Sequence, residues 1–262
     1  MNLEVISHVP GQPDHETPLL FVHGAWHAAW CWEDNFLPYF AERGYATHAL
    51  SLRGHGISPG RDRLRWSTIG QYVQDVAQVA NGLPRPPVVI GHSMGGLVLQ
   101  KYLEKHVAPA AVLLASAPSN GVLRTTLNIA RHLPLRFLRT NLTLSLWPLV
   151  GTPDLAQALF FSDNMPAVEV QRHFDRLQDE SYTAFLGMLL FALPRPRRVR
   201  TPLLALGAAD DAIFTPKEIR STAHKYGTDA KIYPDMAHDM MLEAGWRQVA
   251  EDIDAWLTEL SL

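Results

Sequence analysis

The chain of 262 residues predicts an α/β fold, with a mostly parallel sheet and helices on both of its faces. Strand-like apolar runs alternate with helix-like amphipathic segments, which is typical of parallel strands joined by helices. Several strand candidates are apolar throughout, as expected for strands that are buried on both faces. One long stretch between two such strands breaks the alternation, which indicates an insertion.

The apolar runs and the helical periodicity place the elements in chain order. The predicted strands span residues 3–7, 19–22, 46–51, 87–91, 110–115, 202–207 and 230–233. The predicted helices span residues 33–43, 67–82, 95–106, 216–226 and 246–260. The strand Ala110–Ala115 is the clearest fully buried candidate, because all six of its residues are apolar.

Residues 119–200 form the predicted insertion. They are rich in Leu, Phe and Trp at helical spacing and contain no convincing strand. Four prolines divide the segment into short helices, since proline interrupts a helix. They are Pro134, Pro148, Pro153 and Pro166. Residues 1–118 and 201–262 then make up one core domain.

Composition excludes several classes of protein. The net charge is −3, which favours neither nucleic acid nor an acidic membrane surface as a partner. Cys31 is the only cysteine, so neither an intrachain disulfide nor a cysteine-based zinc cluster can form. We recognise no secretory signal and no run long enough to span a bilayer, and therefore expect a cytoplasmic protein without stable membrane insertion. The sequence leaves the oligomeric state open.

The most informative motif is Gly91-His92-Ser93-Met94-Gly95, which lies between an apolar strand and a helical segment. A serine at such a sharp strand-to-helix turn is exposed as a nucleophile. The flanking glycines suit the turn because they lack a Cβ that would clash. We therefore predict Ser93 as the nucleophile. His92 is adjacent to Ser93, and we expect its side chain to point away and to have a structural role.

A serine nucleophile needs a base, and the base needs an orienting carboxylate. Asp210 and Asp211 both follow the buried strand at 202–207, and His238 follows the strand at 230–233. We predict His238 as the general base and either Asp211 or Asp210 as the acid. Asp239 is discounted because adjacent side chains usually point apart.

These residues resemble those of α/β-hydrolase-fold serine hydrolases, in which the triad follows the chain order Ser, Asp, His. The similarity spans nearly the whole chain and includes His23-Gly24 and the segment 53–58, Arg-Gly-His-Gly-Ile-Ser. Residues 23–32 are also similar to the methylesterase and hydroxynitrile lyase branch. One departure is Ser51, where the family commonly has an aspartate, and this leaves a local hydrogen-bond network in doubt.

The resemblance implies an α/β-hydrolase fold in which residues 119–200 form a helical cap over the active site. It favours Asp211 as the triad acid, because an apolar residue follows two positions later. It also implies an oxyanion hole made by the backbone N–H groups of Ala25 and Met94. Five side chains are candidates for the substrate pocket. They are Trp26, Trp147, Phe161, Phe185 and Met188.

The predicted function is hydrolysis of a carboxylic ester, or a related acyl bond, of a small to medium apolar substrate through an acyl-enzyme on Ser93. This chemistry needs no metal and no organic cofactor. Carbon–carbon bond hydrolases, perhydrolases and lyases share the triad and stay open as alternatives. Hydroxynitrile lyases usually require a lysine near the site, and residues 119–200 contain none. A non-catalytic receptor for a small ligand is disfavoured because it has little reason to keep all three triad residues.

Overall fold

The computed structural model describes residues 1–262 and contains one sheet of seven strands in the order β1-β3-β2-β4-β5-β6-β7. Strand β1 is antiparallel to β3, and all other neighbours are parallel. The strands are β1 Val5–His8, β2 Leu19–Val22, β3 Thr47–Leu50, β4 Val88–His92, β5 Ala111–Leu114, β6 Leu203–Ala208 and β7 Ala230–Tyr233. The predicted α/β-hydrolase architecture is confirmed, and each predicted strand is present to within two residues at either end.

The burial of each strand explains its composition. Central strands β2, β4 and β5 are buried along their whole length, because helices cover both faces of a parallel sheet. The edge strand β1 instead alternates between exposed and partly buried residues. The long apolar runs of the sequence therefore mark the centre of the sheet.

Ten α-helices accompany the sheet. They are α1 Phe36–Glu42, α2 Ile69–Gly82, α3 Met94–Tyr102, α4 Leu123–His132, α5 Pro134–Thr143, α6 Pro153–Phe160, α7 Ala167–Phe174, α8 Tyr182–Leu186, α9 Pro216–Lys225 and α10 Trp246–Glu259. Thr68 and Gln71 form a capping box that starts α2, and Thr215 and Glu218 form another at α9. Helix α1 begins later than predicted, because Ala29–Trp32 forms a separate 3₁₀ turn before it.

Helices α4 to α8 all lie between β5 and β6, and no strand interrupts them. Strands β5 and β6 are parallel neighbours in the sheet, with Ala111 opposite Leu203. The chain therefore leaves the carboxyl end of β5, passes through these helices, and returns to the sheet at the strand position beside β5. Division into a core and a cap at residues 119–200 remains our prediction for the domain organisation.

A buried polar cluster ties this helical segment to the loop after β3. His55 Nε2 lies 3.0 Å from Glu180 Oε2, and Tyr72 donates a 2.8 Å hydrogen bond to the other oxygen of Glu180. The Gln178 side-chain amide donates a further hydrogen bond to the Gly54 carbonyl. Buried polar groups that are fully paired specify one arrangement of the elements they join.

Ser51, the departure from the family pattern, also has partners. Its hydroxyl donates a 2.5 Å hydrogen bond to Glu4 Oε2 and accepts one from the Ala29 N–H. Glu4 precedes β1 and thus supplies the carboxylate that the serine lacks.

No helix of the structure combines the length and the apolarity needed to cross a bilayer.

Candidate active site

Ser93 occupies a strained turn between β4 and α3. Its φ of 52° and ψ of −118° lie outside the regions that most L-residues adopt. The turn is held at both of its peptide groups. The Ser93 N–H donates to the Leu114 carbonyl at 3.0 Å, and the Ser93 carbonyl accepts from the Ala117 N–H at 2.9 Å. The end of β5 therefore fixes the backbone of the serine.

The two motif glycines are required by close packing around this turn. A Cβ on Gly95 would lie 2.4 Å from the carbonyl oxygens of Val22 and His23 at the end of β2. A Cβ on Gly91 would lie 2.8 Å from the backbone of Gly95. Because these contacts involve backbone rather than flexible side chains, the turn cannot keep its position with a larger residue.

The loops after β6 and β7 bring a histidine and an aspartate together. His238 Nδ1 lies 2.8 Å from Asp211 Oδ2. The other carboxylate oxygen, Oδ1, accepts hydrogen bonds from the N–H groups of Ile213 at 2.7 Å and Phe214 at 2.9 Å. The carboxylate is thus oriented by its own loop, and it orients the imidazole.

The structure distinguishes the two adjacent aspartates. Asp211 is buried and contacts His238, whereas Asp210 is exposed and its backbone N–H donates to the Met236 carbonyl. Only Asp211 can therefore orient the imidazole in this arrangement.

Two opposing effects set the pKa of His238. Burial lowers it, but the charge and hydrogen bond of Asp211, with a smaller contribution from Asp239, raise the pKa above its usual value. Since the neighbouring carboxylates favour the charged form, the imidazole is suited to accept a proton.

His92 contacts the loop that carries His238. Its Nε2 donates a 3.1 Å hydrogen bond to the backbone carbonyl of His238, and the two rings are 4.7 Å apart between centroids. Burial first, and then the nearby His238, lower the pKa of His92 to about 3, so this ring stays neutral. His92 therefore connects the Ser93 turn to the His238 loop.

The Ser93 hydroxyl and the His238 imidazole are linked through shared neighbours rather than by a direct hydrogen bond. Phe214 lines the same cavity as Ser93, and its ring lies 5.5 Å from the His238 ring. The structure contains no hydrogen bond between Ser93 Oγ and His238. Catalytic hydrogen bonds are often long before substrate binds and shorten afterwards.

The loop after β2 lies directly against the serine. A Cβ on Gly24 would be 2.9 Å from the Ser93 Cβ and 2.7 Å from His92 Nδ1. Ala25 and Met94 both line the cavity beside Ser93. Met94 begins α3, and the first N–H groups of a helix have no partner within it. Both residues predicted for an oxyanion hole therefore lie next to Ser93.

A second histidine–aspartate pair lies behind this loop. His27 Nε2 is 2.9 Å from Asp239 Oδ2, and His27 Nδ1 is 2.8 Å from the Ala25 carbonyl. Burial raises the pKa of Asp239, but the nearby His27, the hydrogen bond to it and then His92 and His238 lower it more, so the net shift is downward. Asp239 thus forms its hydrogen bond with His27 rather than with His238, and it joins the His238 loop to the Ala25 loop.

An apolar cavity of about 70 Å³ opens beside Ser93. Of its fifteen lining residues, twelve are hydrophobic. They are Ala25, Trp26, Ser93, Met94, Val122, Thr125, Thr126, Ile129, Leu146, Leu149, Leu159, Phe185, Met188, Ile213 and Phe214. Most of them come from the helices between β5 and β6, so this segment shapes the space in front of the serine.

Three of the five predicted pocket residues line this cavity, namely Trp26, Phe185 and Met188. The other two residues, Trp147 and Phe161, do not line this cavity. Trp147 packs on Phe174 with ring centroids 6.0 Å apart, and Phe161 stacks on His173 at 5.4 Å. Phe161 is buried inside the helical segment, whereas Trp147 is half-buried and packs against its outer part.

Sequence reasoning missed the cavity face of α4. Val122, Thr125, Thr126 and Ile129 follow the spacing i, i+3, i+4, i+7, which places them on one side of a helix. That spacing was a usable signal. The two threonines interrupt its apolar pattern, which makes the signal weak.

Comparison with known proteins agrees with this fold. The chain belongs to the alpha/beta hydrolase family, whose sequence profile matches residues 19–252. It is 24% identical over 237 residues to a monoacylglycerol lipase of Mycolicibacterium smegmatis, which covers 83% of this chain and 80% of the relative. It is 38% identical over 88 residues to methylesterase 2 of Arabidopsis thaliana, and that match spans only a third of either chain.

Solved structures give the same architecture. A monoacylglycerol lipase from Paleococcus ferrophilus superposes with a TM-score of 0.74 at 21% identity, covering 99% of this chain and all of that one. At this level of identity the likeness concerns the fold.

Proposed function

We propose that this α/β hydrolase is a serine esterase that cleaves esters with a short to medium apolar acyl group. The observation that carries the proposal is the buried Asp211–His238 pair beside a strained serine that opens into an apolar cavity. The names of the relatives, methylesterase and monoacylglycerol lipase, support esters as the substrate class.

In the proposed reaction, Ser93 Oγ attacks the ester carbonyl carbon while His238 Nε2 accepts the hydroxyl proton. Asp211 holds Nδ1 protonated, so that Nε2 carries the free electron pair, and it stabilises the imidazolium that forms. His238 then gives the proton to the departing alkoxide, which leaves as the alcohol. Water attacks the acyl-enzyme in the second half of the reaction, with His238 again as the base.

The backbone N–H groups of Ala25 and Met94 are proposed to donate hydrogen bonds to the ester carbonyl oxygen. These bonds stabilise the negative charge that develops on this oxygen. Removing one such donor typically costs about 10²–10³ in rate. Because the donors are main-chain groups, their side chains are free to form the cavity wall. Gly24, which allows the loop to approach the serine so closely, is the residue that holds this geometry.

Cavity size limits the acyl group. The cavity of about 70 Å³ is well below the roughly 300–1,000 Å³ of pockets that hold drug-sized ligands, so it suits a small group. The lining offers few polar side chains, and a charged acyl group would lose hydration without compensation. We therefore expect a preference for short, uncharged acyl chains.

An activity-based probe tests the proposal. A fluorophosphonate should label the wild-type protein and fail to label Ser93→Ala, while Ser7→Ala, which alters an exposed serine on β1, should be labelled normally. A series of p-nitrophenyl esters from acetate to octanoate should be hydrolysed by the wild type and by Ser7→Ala.

Equal labelling of Ser93→Ala would remove the proposal. Ligand-induced thermal stabilisation without any ester turnover would instead support the receptor alternative.

A further inference from the structure

The helices α4 and α5 leave an unusual amount of apolar surface uncovered. Fifteen large apolar side chains of the whole chain are exposed, and five of these are leucines between residues 123 and 142. We call these five the leucine face: Leu123, Leu127, Leu135, Leu138 and Leu142. Exposed apolar surface concentrated in this way marks an interaction site more often than scattered residues do.

The leucines are ordered along each helix. Leu135, Leu138 and Leu142 follow the spacing i, i+3, i+7, which places them on one side of α5, and they are 81%, 54% and 75% exposed. Leu123 and Leu127 are one turn apart on α4. Both helices are therefore amphipathic with an apolar side that faces away from the protein.

Helix α4 connects this surface with the active site. Its opposite side, including Thr125, Thr126 and Ile129, lines the cavity in front of Ser93. A surface bound at the leucine face would therefore lie one helix away from the proposed nucleophile.

The charge of this segment indicates which surface it suits. Every charged residue between positions 123 and 153 is an arginine, although the whole chain has a net charge of −3. These arginines are Arg124, Arg131, Arg136 and Arg139. Arg131 and Arg139 are exposed and have no carboxylate partner, whereas Arg124 pairs with Glu218 at 3.0 Å.

A second copy of this chain would be a poor partner for this surface. In a symmetric dimer the same patch meets itself, so arginines would approach arginines without a carboxylate from either helix. An anionic lipid surface fits both features, because leucines can enter the acyl region while arginines contact the phosphates.

We propose that α4 and α5 dock this protein on anionic lipid surfaces through the leucine face and its arginines. The binding is peripheral and reversible, since no helix can cross a bilayer. It places the cavity next to a phase in which apolar esters are concentrated.

Vesicle co-sedimentation tests the proposal, with vesicles of phosphatidylcholine alone and of an equimolar mixture of phosphatidylcholine and phosphatidylglycerol. The wild type should bind the mixed vesicles more strongly, and added salt should reduce the difference. The double variant Leu135→Ser/Leu142→Ser should lose about tenfold or more in binding to both. Arg139→Gln should lose about fivefold on mixed vesicles only.

The matched control is Val9→Ser/Val107→Ser. These valines are 57% and 80% exposed. They lie at the amino edge of the sheet, away from the carboxyl edge where α4 begins, because Val9 follows the antiparallel β1 and Val107 precedes β5. The control variant should bind vesicles as strongly as the wild type. All variants should show the far-UV circular dichroism spectrum and the cooperative thermal unfolding of the wild type, which shows that they are folded.

Three results would overturn the proposal. They are a wild type that binds neither vesicle, an unchanged affinity of the leucine variant, and a solution dimer that the leucine variant dissociates. Ser93→Ala should bind vesicles like the wild type, so a failure of the esterase proposal would leave this measurement unaffected.

Discussion

Replacing Asp211 with asparagine tests the proposed triad by changing one carboxylate oxygen to an amide nitrogen. In the structure Oδ1 accepts two hydrogen bonds from backbone N–H groups, those of Ile213 and Phe214, and Oδ2 faces His238 Nδ1 at 2.8 Å. The asparagine side-chain oxygen should keep the two backbone contacts, because an amide nitrogen there would face N–H donors. The amide nitrogen must then take the place of Oδ2.

This orientation reverses the hydrogen bond to the imidazole. The amide nitrogen can only donate, so Nδ1 of His238 becomes the acceptor and its proton moves to Nε2. A protonated Nε2 cannot receive the proton of Ser93. In a serine protease triad the equivalent change lowers kcat by about 10⁴, which corresponds to about 5 kcal/mol of activation free energy. We expect a loss of that order here.

The same substitution should move the pH profile. Burial lowers the pKa of His238 and Asp211 raises it, with a net increase in the folded protein. A general base works only when it is unprotonated, so activity rises with pH through this pKa. Loss of the Asp211 charge lowers the pKa, and the acid limb of kcat/KM for the residual activity should shift to lower pH.

The assay is the pH dependence of kcat/KM on a short p-nitrophenyl ester, with thermal unfolding measured alongside. Asp210→Asn is the matched control, since it alters the adjacent, exposed carboxylate, and it should retain wild-type activity. The reasoning would be refuted if Asp211→Asn kept more than about a tenth of the activity while folded, or if the control lost as much.

Three further predictions concern the turn, the cavity and the buried pair. Gly95→Ala should abolish most turnover, because its Cβ would lie 2.4 Å from two backbone carbonyl oxygens, whereas Gly82→Ala, with no atom within 4 Å, should keep the wild-type rate. Ile129→Phe should fill part of the cavity and lower kcat/KM for p-nitrophenyl hexanoate at least about tenfold relative to acetate, and equal effects would contradict the assigned pocket. Asp239→Ala should reduce the free energy of unfolding by about 3 kcal/mol in urea denaturation, because it removes one partner of a buried pair with His27, and an unchanged midpoint would show that the pair is not needed for stability.

The strands were predictable because their burial leaves a signal in consecutive residues of the chain. A parallel strand covered on both faces must be apolar along its length, and this leaves a continuous signal in the sequence, as in Ala111–Leu114. Helix ends were less predictable. The start of α1 depends on the 3₁₀ turn at Ala29–Trp32, whose residues are all buried and whose position is set by packing.

The pocket was the least predictable part. Trp147 and Phe185 look alike in the sequence, as large aromatic residues in a helical segment, yet only Phe185 reaches the cavity. The difference arises from how five short helices pack over the sheet edge, and short helices joined by prolines carry little information about their relative angles. The pairing of Asp239 with His27 was equally unpredictable, because the two residues are 212 positions apart in the chain.

By itself, the sequence determined the α/β architecture, the serine at a strand-to-helix turn and the order of candidate acid and base, since each depends on residues that are neighbours in the chain. Tertiary structure alone decided that Asp211 rather than Asp210 meets His238, which side chains face the cavity, and that helices α4 and α5 expose leucines among arginines. The reason is that these features depend on distances between loops and helices that are far apart in sequence. Such distances follow from packing, which no local pattern of residues records.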